Sequence, residues 1–187
     1  MLSLSEVDRR VLLDLARESV IAAVSRQELP AIIPQSGILD VPRGVFVTLH
    51  VRGRLRGCIG VIDAQEPLGQ AVVRCAASAA LHDPRFPPLR PEELPDLLIE
   101  ISLLSPPSPI RPEDIEIGSH GLLVSRGAQR GLLLSQVAVE HHLSREQFLE
   151  ETCHKAGLPR AAWSDPDTKL QAFTCEVFSD QSRTENP

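Results

Sequence analysis

The nine residues RLRGCIGVI (54–62) place Cys58 in a run of strand-forming residues, with Gly57 and Gly60 close on either side and Arg54 and Arg56 just upstream. A thiol attacks carbon or binds metal only as the thiolate, and a nearby guanidinium favours that form. The competing reading is packing, since cysteine is among the most buried residue types. Cys58, Cys75, Cys153 and Cys175 form no C-x-x-C pair, so neither a structural zinc site nor a redox dithiol is indicated. Three of the four read as core. Cys75 shares a helical face with Val72 and Ala79, Cys153 falls one turn after Leu149, and Cys175 alternates with Phe173 and Val177. Cys58 is the thiol left to explain.

A thiol nucleophile needs a base, and a Cys–His pair is the minimum. His120, in the sequence S-H-G-L, is the candidate, against the alternative of a loop histidine bonded to backbone. Glu100 shares a strand face with Ser102 and is either a general base or a solvent-facing carboxylate. Asp83 and Arg85, in DPRFPP, pair to order a proline-rich loop; alternatively Arg85 receives a carboxylate or phosphate. His141, His142 and His154 lack a metal-ligand spacing such as H-E-x-x-H, and no phosphate loop or Rossmann glycine pattern is present. No metal and no cofactor is expected.

Several elements must position these groups. Ser5 caps a helix whose apolar residues Val7, Val11, Leu12 and Leu15 follow helical spacing, and Leu29-Pro30 and Ile33-Pro34 end it. GVFVTLHV (44–51) and LRGCIGVI (55–62) read as a hairpin. A three-residue turn, Arg52–Arg54, keeps apolar partners together: Val51 opposite Leu55, Leu49 opposite Gly57, Val47 opposite Ile59, and Val45 opposite Val61. The other face then sets Thr48 opposite Cys58, with Arg56 two residues along, while Gly57 and Gly60 suit close approach by a backbone or a ligand. Pro67 opens an Ala-rich helix ending near Leu81. Nine of the sixteen prolines lie between Pro84 and Pro112 and exclude regular helix there, apart from a short turn at Pro91-Glu92-Glu93. DLLIEISLLS (96–105) reads as a strand and residues 121–135 as a hairpin turning at Gly127. A short helix follows, then one capped by Ser144 and stopped by Gly157, and finally a strand over 168–178. Mixed helices and antiparallel strands give an α+β fold.

Composition narrows the function classes. The formal net charge of −6 argues against non-specific nucleic-acid binding, and five Phe, one Trp and no Tyr leave few stacking platforms. No apolar run approaches the roughly 20 residues that cross a bilayer. With a polar, acidic start and thiols read as reduced, the expected location is the cytoplasm.

LRGCIG (55–60), HDPRFPPLRPEELP (82–95), IEISLLSP (99–106), GSHGLLV (118–124), GLLLSQVA (131–138) and FLEETCHKAGLP (148–159) together resemble the AMMECR domain family, protein A of the AmmeMemoRadiSam system. The likeness covers nearly the whole chain in order, and the hexapeptide is its most specific part. Ser135 departs from it, standing where the family has proline in LLLPQVA. The resemblance implies one AMMECR-type domain over 1–187 with two unequal lobes. The larger is an antiparallel sheet flanked by helices and the smaller an insertion at about 107–160; the polar stretch DQSRTENP (180–187) reads by its own composition as a frayed tail. The resemblance also implies two partners, a Memo-like protein related to extradiol dioxygenases and a radical-SAM protein.

Two functional classes follow. In one, the protein is an enzyme or enzyme component using Cys58 in an interlobe cleft, with His120 or Glu100 as base. In that class Thr48, Arg56, Gly57, Gly60, Asp83 and Arg85 line the ligand. In the other, a basic hairpin (Arg43, Arg52, Arg54, Arg56) makes it a binding module for RNA, an acidic ligand or a partner protein. Oligomeric state is open in both.

Overall fold

The computed structural model describes residues 4–32, 37–62 and 65–180; the expected helix stop at Ile33-Pro34 and the tail beyond Asp180 lie outside them. In chain order the helices and strands are α1 (Glu6–Val24), β1 (Val45–Val51), β2 (Arg54–Val61), α2 (Leu68–Leu81), β3 (Leu97–Leu104), β4 (Ser108–Pro109), β5 (Gly121–Arg126), β6 (Gln129–Leu133), α3 (Ser135–Glu140), α4 (Arg145–Lys155), β7 (Lys169–Phe173) and β8 (Cys175–Ser179). The fold is α+β, and the chain forms two compact units, Met1–Leu103 with Glu176–Pro187, and Leu104–Cys175.

The first unit is built on a four-stranded sheet in the order β2-β1-β3-β8. Strand alternation decides which side the helices cover. Val45, Val47 and Leu49 of β1 and Ile99, Ile101 and Leu103 of β3 have no solvent exposure, sharing one core with Leu12, Ala16 and Val20 of α1 and Val72, Cys75 and Ala76 of α2. The intervening residues Phe46, Thr48, His50, Cys58 and Glu100 occupy the opposite face and are half-buried. A reciprocal capping box starts α1: Ser5 Oγ accepts the Asp8 N–H at 3.1 Å, and the Asp8 carboxylate accepts the Ser5 N–H at 2.9 Å.

The β1–β2 hairpin follows the expected register in its deeper part, with Val45 opposite Val61, Val47 opposite Ile59 and Leu49 opposite Gly57. The turn differs. Arg52 (φ 51°) and Gly53 (φ 73°) form a two-residue turn in the left-handed region, which sets Val51 opposite Arg54 and His50 opposite Leu55. Two-residue turns with both central residues in the left-handed region match the right-handed twist of paired strands, and glycine at the second position suits them. Reconciling that turn with the apolar register costs one residue, and Arg56 is that residue, bulged between Leu55 and Gly57.

The expected single strand over 168–178 is two. Phe173 is buried in the second unit and Phe178 in the first unit's core. They are five residues apart and would face opposite ways along one strand. Thr174 makes the break: its N–H donates to Ser105 Oγ and its carbonyl accepts the Ser105 N–H, both at 2.9 Å. Cys175, expected in the core, is accordingly half-exposed.

The second unit carries the sheet order β4-β7-β5-β6. Its hairpin turns at Gly127 (φ 59°) as expected, and Ser144 caps α4 through a box with Gln147. Ser135 is the buried first residue of α3, preceded by Leu134 at φ −72° and ψ 156°. At that position proline gives up no helical hydrogen bond, because the first helical N–H has no partner within the helix and the residue before it is already extended, and only the long Ser135 Oγ–Gln136 Oε1 contact of 3.4 Å goes. Ser135→Pro should therefore raise stability by about 0.4–1 kcal/mol, chiefly by restricting the unfolded chain; a urea midpoint that moves up at constant slope would show it.

Candidate functional site

Cys58, Thr48 and Glu100 stand in one row across three strands. Thr48 is opposite Cys58 in the β1–β2 ladder and opposite Glu100 in the β1–β3 ladder, so all three side chains leave the sheet on the face away from the helices. Thr48 Oγ1 donates to Cys58 Sγ at 3.3 Å. Sequence reasoning places Glu100 on a strand face with Ser102 and misses the row itself. The signal was available, because even-numbered polar residues alternate with Ile99, Ile101 and Leu103, and only one parity lets β3 share β1's core face.

The strand that carries Cys58 is at the sheet edge, so its outward N–H and C=O have no strand to bond. Two side chains take the place of one. Asp83 Oδ2 accepts the Cys58 N–H at 2.8 Å, and Arg85 Nη2 donates to the Cys58 carbonyl at 3.3 Å. Asp83, only 3% exposed, also accepts from the Arg85 N–H at 3.1 Å, from Nε at 2.9 Å and from Nη2 at 2.7 Å. The Arg85 side chain, with the backbone N–H groups of Cys58 and Arg85, holds the Asp83 carboxyl well below the usual carboxylate range, against the opposing effect of burial. The expected Asp83–Arg85 pair thus forms, and it grips the main chain of Cys58 as well as its own loop.

Arg56, on the bulge, turns to the proline-rich segment. Its Nε and Nη2 bond the two oxygens of Glu93 at 2.8 and 3.1 Å, while Nη1 and Nη2 donate to the carbonyls of Pro87 and Pro88 at 2.7 and 3.1 Å. Arg56 lowers the Glu93 carboxyl's proton affinity, and the whole 82–95 segment is fastened to β2 by these contacts and the Asp83 clamp. Gly57 and Gly60 are spent on close approach. A Cβ on Gly57 would meet the Ala79 carbonyl oxygen of α2 at 2.1 Å, and one on Gly60 would meet the Phe46 ring at 2.3 Å.

His120 belongs to the second unit, where its Nδ1 accepts the Glu116 N–H at 3.1 Å. Of the other thiols, Cys75 and Cys153 have no exposure, and burial pushes the Cys75 thiol up to about 11 and raises that of Cys153. Among the described residues, no three His, Cys, Asp or Glu side chains gather as a metal-ligand set, and no helix is long and apolar enough to cross a membrane.

The AMMECR1 family model matches residues 13–178. A protein of Methanothermobacter thermautotrophicus is 43% identical over 185 residues, covering 94% of this chain and 95% of its own length. One from Aquifex aeolicus is 43% identical over 185 residues, covering 94% of each. The crystal structure of the uncharacterized protein PH0010 from Pyrococcus horikoshii matches with a TM-score of 0.80 at 40% identity, covering 90% of this chain and 89% of that one.

Proposed function

This chain belongs to the AMMECR1 family, and from that premise we propose that it is an enzyme component whose nucleophile is Cys58, acting in the cytoplasm beside a Memo-like, dioxygenase-related protein and a radical-SAM protein. The observation that carries the thiol's role is the row Cys58–Thr48–Glu100, set on the face that the helices leave uncovered. Thr48 orients the sulfur. Glu100 lies two strand spacings from Cys58, about 9.6 Å along the sheet, a gap that its own length and the Thr48 hydroxyl can bridge. In the proposed step the sulfur electron pair forms a bond to an electrophilic carbonyl carbon, and the C=O π pair moves onto its oxygen. The Thr48 hydroxyl, which donates to the sulfur in this structure, turns for this step to accept the thiol proton and give its own to Glu100, a relay open to a hydroxyl that both donates and accepts. All four cysteines are thiols, which suits the reducing cytoplasm. The partners rest on the family resemblance, and co-purification with those two proteins tests them.

The acidic-ligand or RNA alternative loses support from two of its four arginines. Arg52 bonds Asp96 at 2.7 Å, and Arg56 is committed to Glu93.

The deciding measurement is iodoacetamide labelling of the native protein at pH 7, read cysteine by cysteine through peptide mass spectrometry. Cys75 and Cys153 should stay unlabelled until the chain unfolds. Cys58 should outpace the comparably exposed Cys175 by at least about tenfold, the mark of an activated thiol rather than an accessible one. Glu100→Gln should slow Cys58 and leave Cys175 alone. His120→Ala tests the alternative base, and a loss there in place of Glu100→Gln would move that role to His120. Equal rates at Cys58 and Cys175 would end the nucleophile assignment.

A further inference from the structure

Beside Cys58 lies a guanidinium held ready for a ligand. Asp83 fixes Arg85 through Nε and Nη2, at 2.9 and 2.7 Å, and Arg85 Cζ rests 5.4 Å from the centroid of the Phe86 ring. Nη2 reaches the Cys58 carbonyl. Its remaining nitrogen, Nη1, makes no hydrogen bond among the described residues, and the side chain is 55% exposed. Asp83 is buried and takes only the Nε and Nη2 edge of the guanidinium, which leaves Nη1 turned away from its carboxylate. A purely structural clamp would need only the inner edge of the guanidinium. The outer edge is rigid, charged and open, so an anion would find its donors already ordered.

We infer that Arg85 is an anion subsite of the Cys58 centre, and that the substrate carries a carboxylate or phosphate group which Arg85 Nη1 receives while the reacting carbon faces the sulfur. The inference rests on the nucleophile assignment above and adds the substrate's chemical class to it.

Two alkylating reagents separate it from that assignment. Iodoacetate and iodoacetamide both lose iodide to the attacking sulfur and differ in the charge of the tail. The ratio of their rates at Cys58 is measured in the native protein and in the urea-unfolded chain, where Arg85 no longer stands beside the thiol. The native ratio should favour iodoacetate by about tenfold over the unfolded one, the effect of one charge-assisted hydrogen bond. Protection of Cys58 by acetate or by inorganic phosphate, compared at equal ionic strength, then tells carboxylate from phosphate. Arg85→Lys, which keeps the charge and loses the planar lock, should lower the native ratio. Should that variant fold poorly, the wild-type ratio still decides. An unchanged ratio at a Cys58 that labels fast overturns the anion subsite and spares the nucleophile. A Cys58 slow toward both reagents removes the two together.

Discussion

Asp83→Asn should destabilise the first unit by about 3 kcal/mol despite being isosteric. Each carboxylate oxygen of Asp83 accepts two N–H groups: Oδ2 from Cys58 and Arg85 Nη2, Oδ1 from the Arg85 amide and Nε. An asparagine has one acceptor and one donor end, so either orientation aims an NH2 at two donors. Breaking a buried ion pair by removing one partner costs about 3–5 kcal/mol. The lower figure applies here because Arg85 is 55% exposed and rehydrates. The pH dependence supplies a second reading. The Asp83 carboxyl binds its proton less readily in the folded protein, mainly because of Arg85. Its contribution is therefore complete above the ordinary carboxylate pKa of about 3.9 and is lost as pH falls below it. Urea titrations of the two proteins should show a constant stability gap from pH 7 to about 5 that narrows below about 4. A gap absent at pH 7 would mean that the clamp contributes little, whatever its geometry.

That clamp also marks the limit of what the sequence discloses. The β1–β2 register around Cys58 is legible because Val45, Val47 and Leu49 must share a buried face with their partners, and only one parity allows it. Thr48 beside Cys58 follows from the same alternation. The pairing of Asp83 with Arg85 is legible from proximity in the chain. Its attachment to the Cys58 backbone is not, because an unpaired edge amide has no residue type to betray it. The turn escapes for a related reason. Residue types alone do not show that Arg56 will leave the ladder to bind Glu93 and two proline carbonyls, and that bulge is what lets a two-residue turn coexist with the apolar register. The broken last strand does leave a trace, since Phe173 and Phe178 have opposite parity and both are large enough to demand a core.

Gly57→Ala carries an effect of the same order, about 3 kcal/mol or more, from a different cause. Gly57 needs no unusual φ; it needs space. The added Cβ would stand 2.1 Å from the Ala79 carbonyl oxygen and 3.0 Å from its carbon, both main-chain atoms of α2. Overpacking in a core usually costs about 1–3 kcal/mol because side chains shift rotamer to relieve it. A helix carbonyl cannot do so, and either α2 must lift from β2 or β2 must bend at the residue next to Cys58. The urea midpoint should fall by roughly 1 M or more, given slopes of about 1–3 kcal/mol per molar for small domains. Gly53→Ala is the contrast, with nothing within 4 Å of the added carbon and a φ of +73°. It should cost about 1–2 kcal/mol, the ordinary penalty of a left-handed alanine. A second substitution identifies the obstacle. If the clash is with the Ala79 main chain, Ala79→Gly removes only a methyl group that is not in the way, and the double variant Gly57→Ala/Ala79→Gly stays at least as unstable as the single one. Recovery in the double variant would show that side-chain packing, rather than backbone contact, is what glycine at 57 accommodates, and α2 would then have room to move over the strand that holds the thiol.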